Sequence, residues 1–335
     1  MTILFIGPLK AEFVKNDISI LSEKHKLILH DTTIGRGFIA IFNLFFSGII
    51  ACIKSLRADI IYCWFADYTT PIPTIFGRIT GKKVYVVAGG FDVGYLKELN
   101  YGAWAIPFRR FCVKNTFRFA TKIFPVSEHA DKELKERMTG YMVPSEVIYN
   151  CVNIQKFKDY FEPEENKNTI LTVSRAEDYT EYKLKGSDKF IQIASQLPEY
   201  NFVLAGLQGE AYKLATKEGE HLTNLTIIPG WLNLFNELVP LYKQASIYCQ
   251  LSLEETFCIS VVEAMLFGCV PIVANRAALP EIVGDDRFIA ENDEAMPELI
   301  KKYYSYLNDE RHRIIVMAEK FDIIVRAEKL LKYFP

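Results

Sequence analysis

The sequence predicts an α/β protein with two doubly wound domains, each built on a parallel sheet. Strand-like apolar runs alternate with helix-like segments along most of the 335 residues, and this alternation is typical of parallel sheets with helices on both faces. The alternation stops near Asn150 and begins again at Thr169. The intervening segment has no apolar period and is rich in charged residues, so we interpret Asn150–Asn166 as a linker.

In the first domain, helix-like segments separate six strand-like runs. The helices are predicted near Asp17–Lys24, at Phe38–Leu56, near Pro71–Thr80, over the basic segment FRRFCVKNTFRFATK and over HADKELKERM. The strands are TILFIG, KLILHD, DIIYCWF, KKVYVVAGG, KIFPVS and SEVIYN. The apolar helix at 38–56 is almost long enough to span a bilayer, but Asn43, Ser47 and Lys54 interrupt it. We therefore favour a buried or membrane-skimming helix over a membrane span.

The second domain repeats this organisation. Its strands are TILTVSR, YNFVLAG, LTIIPGW, SIYCQLS and VPIVAN. Its helices are predicted at Asp188–Gln196, near Glu210–Glu218, at Asn236–Gln244, between the last two strands and from Glu294 onwards. Ligands of such sheets bind at the carboxyl ends of the strands, so we expect the site in a cleft between the two halves.

Charge and cysteine usage narrow the class of protein. Residues 1–150 carry 19 basic and 13 acidic residues, whereas the remainder carries 20 and 28. A basic first half indicates an anionic partner for that half.

The seven cysteines are scattered without a C-x-x-C pair, which is typical of a reducing compartment. The first residues, MTILFIGPLK, predict a buried strand rather than a signal peptide. We therefore predict a cytoplasmic protein, with peripheral attachment at the inner membrane face left open.

The basic segment FRRFCVKNTFRFATK contains no acid and interleaves phenylalanines with cations. The cations are Arg109, Arg110, Lys114, Arg118 and Lys122. This composition suits an anionic membrane surface, and an ordinary amphipathic helix with a solvated basic side is the alternative. Because no nucleic-acid recognition motif accompanies the segment, no nucleic-acid partner is expected.

Two acids, Glu255 and Glu263, stand eight positions apart in the apolar stretch SLEETFCISVVEAMLFG. Ser260 and Glu263 fit a capping box, in which Glu263 would only tie the helix N-terminus. That alternative does not explain Glu255, which lies in the turn before the helix. Such a turn presents backbone N–H groups to phosphate, and carboxylates beside it can accept hydrogen bonds from the hydroxyls of a nucleotide-sugar.

This stretch resembles the donor motif of family 4 glycosyltransferases, the retaining enzymes of GT-B fold, in which seven residues separate two glutamates. The segments SRAEDYTEYKLKGSDKF, VLAGLQGEAYKL, PIVAN, LPEIVGD and VIYNCVNIQKF continue the resemblance. It is strongest from Thr169 to Asp285. It implies two Rossmann-like domains facing across a cleft, an acceptor-side domain at 1–152 and a nucleotide-sugar domain at 153–320. The last helix, at about 321–335, would pack back onto the first domain.

The resemblance also implies a role for each matching residue. Arg175 and Lys185 would neutralise the donor diphosphate as it leaves, Glu255 would contact donor-sugar hydroxyls and Glu263 would hold the ribose. The further donor-binding positions are Gly186, Thr256, Phe257, Cys258, Ile259 and Ser260. If the resemblance misleads, Arg175 and Lys185 are solvated surface cations. Because two cations can replace a divalent metal and no D-x-D pair stands out, we expect neither a metal nor a cofactor.

The sequence departs from the family pattern at three positions. Gly89 stands where many members have a histidine, so we assign no catalytic histidine. With Gly90 and Asp92 it forms a turn at the carboxyl end of a strand, where Asp92 is our candidate for contact with the acceptor or the donor sugar. A turn aspartate bonding its own backbone is the alternative. Thr256 and Cys258 replace glycines of many members, which predicts a bulkier loop.

These features predict a retaining, metal-independent glycosyltransferase. It would move a sugar from a nucleotide-diphosphate sugar to a hydroxyl of a glycan or lipid-linked saccharide, in cell-surface polysaccharide or glycoconjugate synthesis. Two alternatives stay open: a non-catalytic sugar-nucleotide-binding or scaffold subunit, and a nucleotide-sugar epimerase or glycosyl phosphorylase of the same fold.

Overall fold

The chain forms two compact α/β units. The computed structural model describes residues 1–33, 39–141, 144–161, 168–304 and 307–335. The first unit contains Met1–Cys151 and Ile323–Pro335, and the second contains Val152–Asp322. Each unit has one parallel sheet flanked by helices, so the predicted fold class is confirmed. No helix of the described residues is long and apolar enough to cross a membrane.

Strands and helices alternate through both units. Those from residue 2 to residue 137 are β1 (Thr2–Gly7), α1 (Glu12–Ser22), β2 (Lys26–Asp31), α2 (Ile39–Ser55), β3 (Ile60–Trp64), α3 (Pro71–Ile79), β4 (Lys83–Ala88), α4 (Pro107–Phe119), β5 (Lys122–Pro125) and α5 (Glu128–Arg137). Those from residue 169 onwards are β6 (Thr169–Ala176), α6 (Tyr179–Leu184), α7 (Ser187–Gln196), β7 (Asn201–Leu207), α8 (Gly209–Gly219), β8 (Leu225–Pro229), α9 (Val239–Gln244), β9 (Ala245–Gln250), α10 (Ile259–Leu266), β10 (Val270–Ala274), α11 (Leu279–Val283), β11 (Ile289–Ala290), α12 (Met296–Tyr304), α13 (Leu307–Glu319) and α14 (Ile323–Leu330).

The sheet of the first unit has the strand order β2-β1-β3-β4-β5. Its central strand β3, Ile60–Trp64, is an unbroken apolar run and is buried along its whole length, as expected for a strand covered on both faces. The connections from β2 to β5 all advance in one direction across the sheet. Because such connections are right-handed, α2, α3 and α4 share one face, and α1 lies on the other.

The sheet of the second unit has the strand order β11-β10-β9-β6-β7-β8. The chain runs outward from β6 through β7 to β8, then returns to the other side of β6 and runs outward from β9 to β11. The order therefore reverses between β6 and β9, which pair in parallel. In open α/β sheets, this reversal opens a crevice at the carboxyl ends of the two strands.

A buried ion pair attaches the last helix to the first unit. Asp17 on α1 and Arg326 on α14 have fully buried side chains. Arg326 donates from Nε to Asp17 Oδ1 (2.5 Å) and from Nη2 to Oδ2 (2.8 Å). Tyr62 OH and Trp64 Nε1 each donate to the same Oδ2 at 2.6 Å, and Arg326 Nη1 donates to the carbonyl of Tyr149. These bonds compensate both charges inside the protein.

The predicted linker is structured in its first half. Ile154–Tyr160 forms a 3-10 helix, and Phe157 is buried against Phe235 and Phe267, with ring centroids 5.5 and 5.9 Å away. The interpretation as a linker is wrong for this part, because aromatic anchors give packing without an apolar period. The remainder of the predicted linker, residues 162–167, lies outside the described residues.

Several elements differ from the predictions. SEVIYN forms no strand, and its Ser145 makes only an isolated bridge to Ile123. Helix α1 begins at Glu12, five residues before the predicted start, because buried Val14 belongs to its packed side. Helix α6 was not predicted at all. It begins where the Asp178 side chain accepts from the backbone N–H of Glu181 at 2.9 Å, a helix cap that is common for aspartate. The apolar helix α2 begins at Ile39, and Phe38 lies outside the described residues.

Replacing Arg326 with methionine is expected to lower the free energy of unfolding by about 3–5 kcal/mol, because Asp17 is left buried without its counter-charge. Urea unfolding measures the difference. Lys15→Met is the matched control on the same helix, since Lys15 pairs with Glu12 at the surface, and it should change stability by less than about 1 kcal/mol. Equal losses for the two variants would contradict the role of the buried ion pair.

Candidate functional site

The reversal between β6 and β9 gathers most of the sequence-predicted site residues. Arg175 is the penultimate residue of β6, and the loop from 251 to 258 connects β9 to α10. Between β6 and α7 the chain forms α6 and reaches Lys185. Ser174 Oγ on β6 lies 2.6 Å from Ser187 Oγ, the first residue of α7. The start of α7 is therefore held against the carboxyl end of β6.

Lys185 and Glu255, which are 70 residues apart in sequence, are in direct contact. Lys185 Nζ donates to Glu255 Oε1 at 2.5 Å, and both side chains are largely buried, with 24% and 13% exposed. Ser252 Oγ donates to the same Oε1 at 3.1 Å, and Gln250 Nε2 donates to Ser252 Oγ at 2.7 Å. The structure thus holds an ammonium and a carboxylate at one point beside the reversal.

Gly186 makes that contact geometrically possible. Its backbone is left-handed, with φ of +68°, and a Cβ built on it would lie 2.3 Å from the carbonyl oxygen of Leu251. Only glycine tolerates both the angle and the approach. The adjacent backbone N–H of Leu253 donates to the carbonyl of Leu184 at 2.8 Å. The chain around Lys185 is consequently fastened to the loop that carries Glu255.

Arg175 has a different neighbour. Its side chain is exposed, and its guanidinium lies 4.6 Å from the ring centroid of Trp231, a distance typical of a cation–π contact. Trp231 follows β8 and is 42% exposed. Trp231 is not among the predicted site residues. The pattern IPGW, with an aromatic residue close to the end of a strand, could have indicated it.

The loop before α10 has a strained backbone, and its N-cap residue makes no side-chain cap to the helix. Helix α10 begins at Ile259, and its N-cap residue is Cys258, whose φ of +72° is left-handed. The capping-box alternative is therefore wrong, because Ser260 already lies inside the helix, where its Oγ accepts from Tyr248 OH at 2.8 Å. For a residue other than glycine, this left-handed backbone conformation costs about 1–2 kcal/mol. Burial, followed by the charge of Glu255, raises the pKa of the Cys258 thiol to about 12, so the thiol is protonated and is not a nucleophile.

Glu263 is positioned on the buried side of α10. It is 9% exposed, and its Oε2 accepts from Tyr242 OH at 2.9 Å. Burial and the nearby carboxylate raise the pKa of Tyr242 well above its usual range, so the phenol remains a donor to Glu263. The sequence did not single out Tyr242, because a tyrosine in an apolar helix looks like an ordinary core residue.

The remaining predicted donor residues differ in what they can offer a ligand. Thr256 and Phe257 are buried, and Phe257 packs edge-on against Phe321 with ring centroids 5.1 Å apart. The Phe257 side chain is therefore part of the core. Ile259 is partly exposed, like Ser260. Loop 256–260 can thus contact a ligand through its backbone and the Ser260 hydroxyl.

Gly89, Gly90 and Asp92 lie together in the first unit. Asp92 is 2% exposed, and its carboxylate accepts from the backbone N–H groups of Ala66 and Gly89, both at 3.1 Å. A Cβ on Gly89 would lie 2.7 Å from both methyl groups of Val126. A histidine would not fit at Gly89 without displacing Val126. Asp92 fixes the turn after β4 to the turn after β3.

Comparison with known proteins identifies the family. A family model described as "Glycosyl transferases group 1" matches residues 153–321, which is just over half of the chain. The chain belongs to the group 1 glycosyltransferases. The matched region of this glycosyltransferase includes Arg175, Lys185, Glu255 and Glu263, whereas the turn at Gly89–Asp92 lies outside it. A search of curated protein sequences gives no significant match.

Solved structures match the glycosyltransferase over nearly its full length. The Anabaena protein HepE in complex with UDP has a TM-score of 0.75 at 14% identity, covering 100% of this chain and 99% of that chain. Sucrose-phosphate synthase from Thermosynechococcus elongatus has a TM-score of 0.72 at 12% identity, covering 100% and 98%. A glycosyltransferase from Rickettsia africae has a TM-score of 0.68 at 16% identity, covering 99% and 97%. These likenesses confirm the GT-B type of fold.

The stability of the first unit is expected to depend on pH through Asp92. Burial raises the pKa of Asp92 from 3.8 to about 7, against the opposing effect of its backbone hydrogen bonds. The folded state therefore keeps a proton that the unfolded chain has released. The resulting stabilisation is complete below about pH 4 and is lost as the pH rises through about 7, by at most about 1.4 kcal/mol per pH unit.

Asp92→Asn removes this titration. The free energy of unfolding of wild type minus that of Asp92→Asn should shrink between about pH 5 and about pH 7.5, as measured by urea unfolding at each pH. Asp59→Asn is the control, because Asp59 is exposed in the same unit. A difference between wild type and Asp92→Asn that is constant over this pH range would contradict the assignment.

Proposed function

We propose that the enzyme transfers a sugar, with retention of anomeric configuration and without a metal ion, from a nucleoside-diphosphate sugar to a saccharide hydroxyl. The observation that carries this proposal is the contact of Lys185 with Glu255 beside the strand reversal of the family's domain. A cation that faces a departing diphosphate stabilises the charge that develops as the glycosidic bond breaks. A carboxylate at the same point accepts hydrogen bonds from donor-sugar hydroxyls.

Each residue of the site has a separate role in this proposal. Lys185 moves from Glu255 to a diphosphate oxygen when the donor binds, and Arg175 supplies the second cation. Glu255, held by Ser252, turns to the sugar. Glu263, whose orientation is fixed by Tyr242, accepts from the ribose hydroxyls. Two cations then supply the charge stabilisation that a divalent metal gives in other transferases.

Retention follows from attack on the face that the diphosphate leaves. The lack of a side chain at Gly89 supports a reaction without a histidine at this turn, because Val126 occupies the space in which one would begin. In the proposed reaction a diphosphate oxygen takes the proton of the attacking hydroxyl.

The turn that Asp92 fixes serves the acceptor, which is a growing glycan or a lipid-linked saccharide of the cell surface. The enzyme works in the cytoplasm at the inner membrane face.

Uridine diphosphate is the nucleotide that we propose for the donor. The Anabaena protein of the same fold has been solved with UDP and with UDP-glucose. Because identity to that protein is at most 16%, GDP and ADP sugars belong in the same test.

A thermal-shift screen of UDP, GDP, ADP and their glucose conjugates is expected to single out one nucleotide. Titration calorimetry of that nucleotide should show Kd raised about tenfold to hundredfold in Lys185→Ala and in Glu263→Ala, as expected for loss of a hydrogen bond to a charged group.

Lys183→Ala is the matched control, because Lys183 lies two residues away and pairs with Asp188. It should leave Kd within about twofold, since it touches no proposed ligand atom. Equal weakening by Lys183→Ala, or unchanged binding in Lys185→Ala, would contradict the proposed donor site.

A further inference from the structure

One face of the first unit is formed by α2, α3 and α4, which lie side by side. Helix α2 contacts α3, and α3 contacts α4. A Cβ on Gly48 of α2 would lie only 2.9 Å from Cδ1 of Ile72 on α3, so the first two helices pack closely. The outward sides of the three helices therefore form one continuous surface, which we name the α2–α4 face.

Helix α2 places small residues inward and large apolar residues outward. Gly48 and Ala51 are buried, whereas Phe46, Ile50 and Ile53 are 57%, 47% and 61% exposed. The positions 46, 50 and 53 recur at helical spacing and form one stripe. Helices on the surface of a water-soluble domain show the opposite arrangement, so this stripe is adapted to an apolar environment outside the domain.

The other two helices extend the apolar surface. Ile79 at the end of α3 is 78% exposed, and Phe108 and Phe111 on α4 are 67% and 62% exposed. Single exposed apolar residues are ordinary. Large ones recur on three adjacent helices, and this apolar patch is of the kind that marks interaction sites.

The charged residues on the three helices have a single sign. The sequences of α2, α3 and α4 contain no aspartate or glutamate. Exposed cations stand beside the apolar residues: Arg57 after α2, Arg78 on α3 and Arg110 on α4. An apolar surface flanked by exposed arginines is complementary to a layer that is apolar inside and negatively charged at its surface.

This surface differs from the one expected from the basic segment alone. Two of the five cations in that segment are paired with acids: Arg109 with Asp67 and Lys122 with Glu146. The guanidinium of Arg109 also lies 4.1 Å from the ring centroid of Phe91. These two cations stabilise the fold, and the exposed cations of the face include Arg57 after α2, Arg78 on α3 and Arg110 on α4.

We infer that the α2–α4 face docks the enzyme onto an anionic lipid bilayer. Phe46, Ile50, Ile53, Ile79, Phe108 and Phe111 enter the boundary between headgroups and acyl chains, and the arginines bind headgroup phosphates. The face lies on the bilayer and does not span it. A second copy of the chain is a poorer occupant, because the arginine rims of two such faces would oppose each other. The inference goes beyond the proposed transfer reaction and uses none of its residues.

Vesicle flotation tests the inference, with full-length protein and phosphatidylcholine vesicles that contain or lack phosphatidylglycerol. Wild type should float with the anionic vesicles and much less with the neutral ones. The double variants Ile50→Ser/Ile53→Ser and Phe108→Ser/Phe111→Ser should each weaken binding about tenfold or more, because two apolar side chains no longer enter the bilayer. Arg78→Glu/Arg110→Glu should abolish the preference for anionic vesicles.

Matched controls come from exposed positions elsewhere. Val316→Ser/Ile324→Ser removes apolar residues that are 48% and 63% exposed, and Lys213→Glu/Lys217→Glu reverses two exposed charges on α8. Both controls should float like wild type. Every variant should keep the nucleotide thermal shift of wild type, which separates failure of docking from failure of the proposed transfer function.

Three outcomes would overturn the inference. The first is wild type that stays at the bottom of the gradient with both vesicle types. The second is equal flotation of wild type and Ile50→Ser/Ile53→Ser. The third is a wild-type dimer in sedimentation velocity that Ile50→Ser/Ile53→Ser dissociates, since a second copy would then occupy the face.

Discussion

The close approach of Gly186 to the carbonyl of Leu251 is the constraint on which the candidate site depends. It brings the turn before α7 against the loop after β9, and the strand reversal between β6 and β9 places both at one edge of the sheet. A Cβ at Gly186 would push the two segments apart and separate Lys185 from Glu255. Glycine at position 186 therefore has a steric reason: it sets the distance between the ammonium and the carboxylate.

The site is supported by a chain of buried polar side chains behind the loop. Tyr248 OH lies 3.1 Å from Gln250 Oε1, Gln250 Nε2 donates to Ser252 Oγ, and Ser252 Oγ donates to Glu255 Oε1. Buried polar groups that are fully bonded fix one arrangement, because any other arrangement leaves a donor or acceptor unpaired. The left-handed backbone at Cys258 is strain held by the same surroundings, and strain of this kind concentrates at functional sites.

Sequence reasoning predicted the two parallel sheets, because apolar runs and helical patterns alternate so regularly, and it selected Lys185 and Glu255 through the resemblance. It could not predict their direct contact, which depends on how α6 and the backbone at Gly186 turn the chain. It also missed Tyr242 and Trp231, since the environment of an aromatic residue is set by tertiary packing. The sequence also did not predict the structured part of the linker or the ion pairs of Arg109 and Lys122. Their partners, Phe235, Asp67 and Glu146, are not sequence neighbours.

The central claim is that the site which holds Lys185 against Glu255 breaks the bond between sugar and diphosphate with retention. Proton NMR of UDP-glucose incubated with the enzyme, with water as a slow acceptor, tests it directly. The account predicts release of UDP with the α-anomer of glucose as the first product, and no release by Lys185→Ala. Intact UDP-glucose under conditions in which calorimetry shows it bound, or the β-anomer as the first product, would contradict the account.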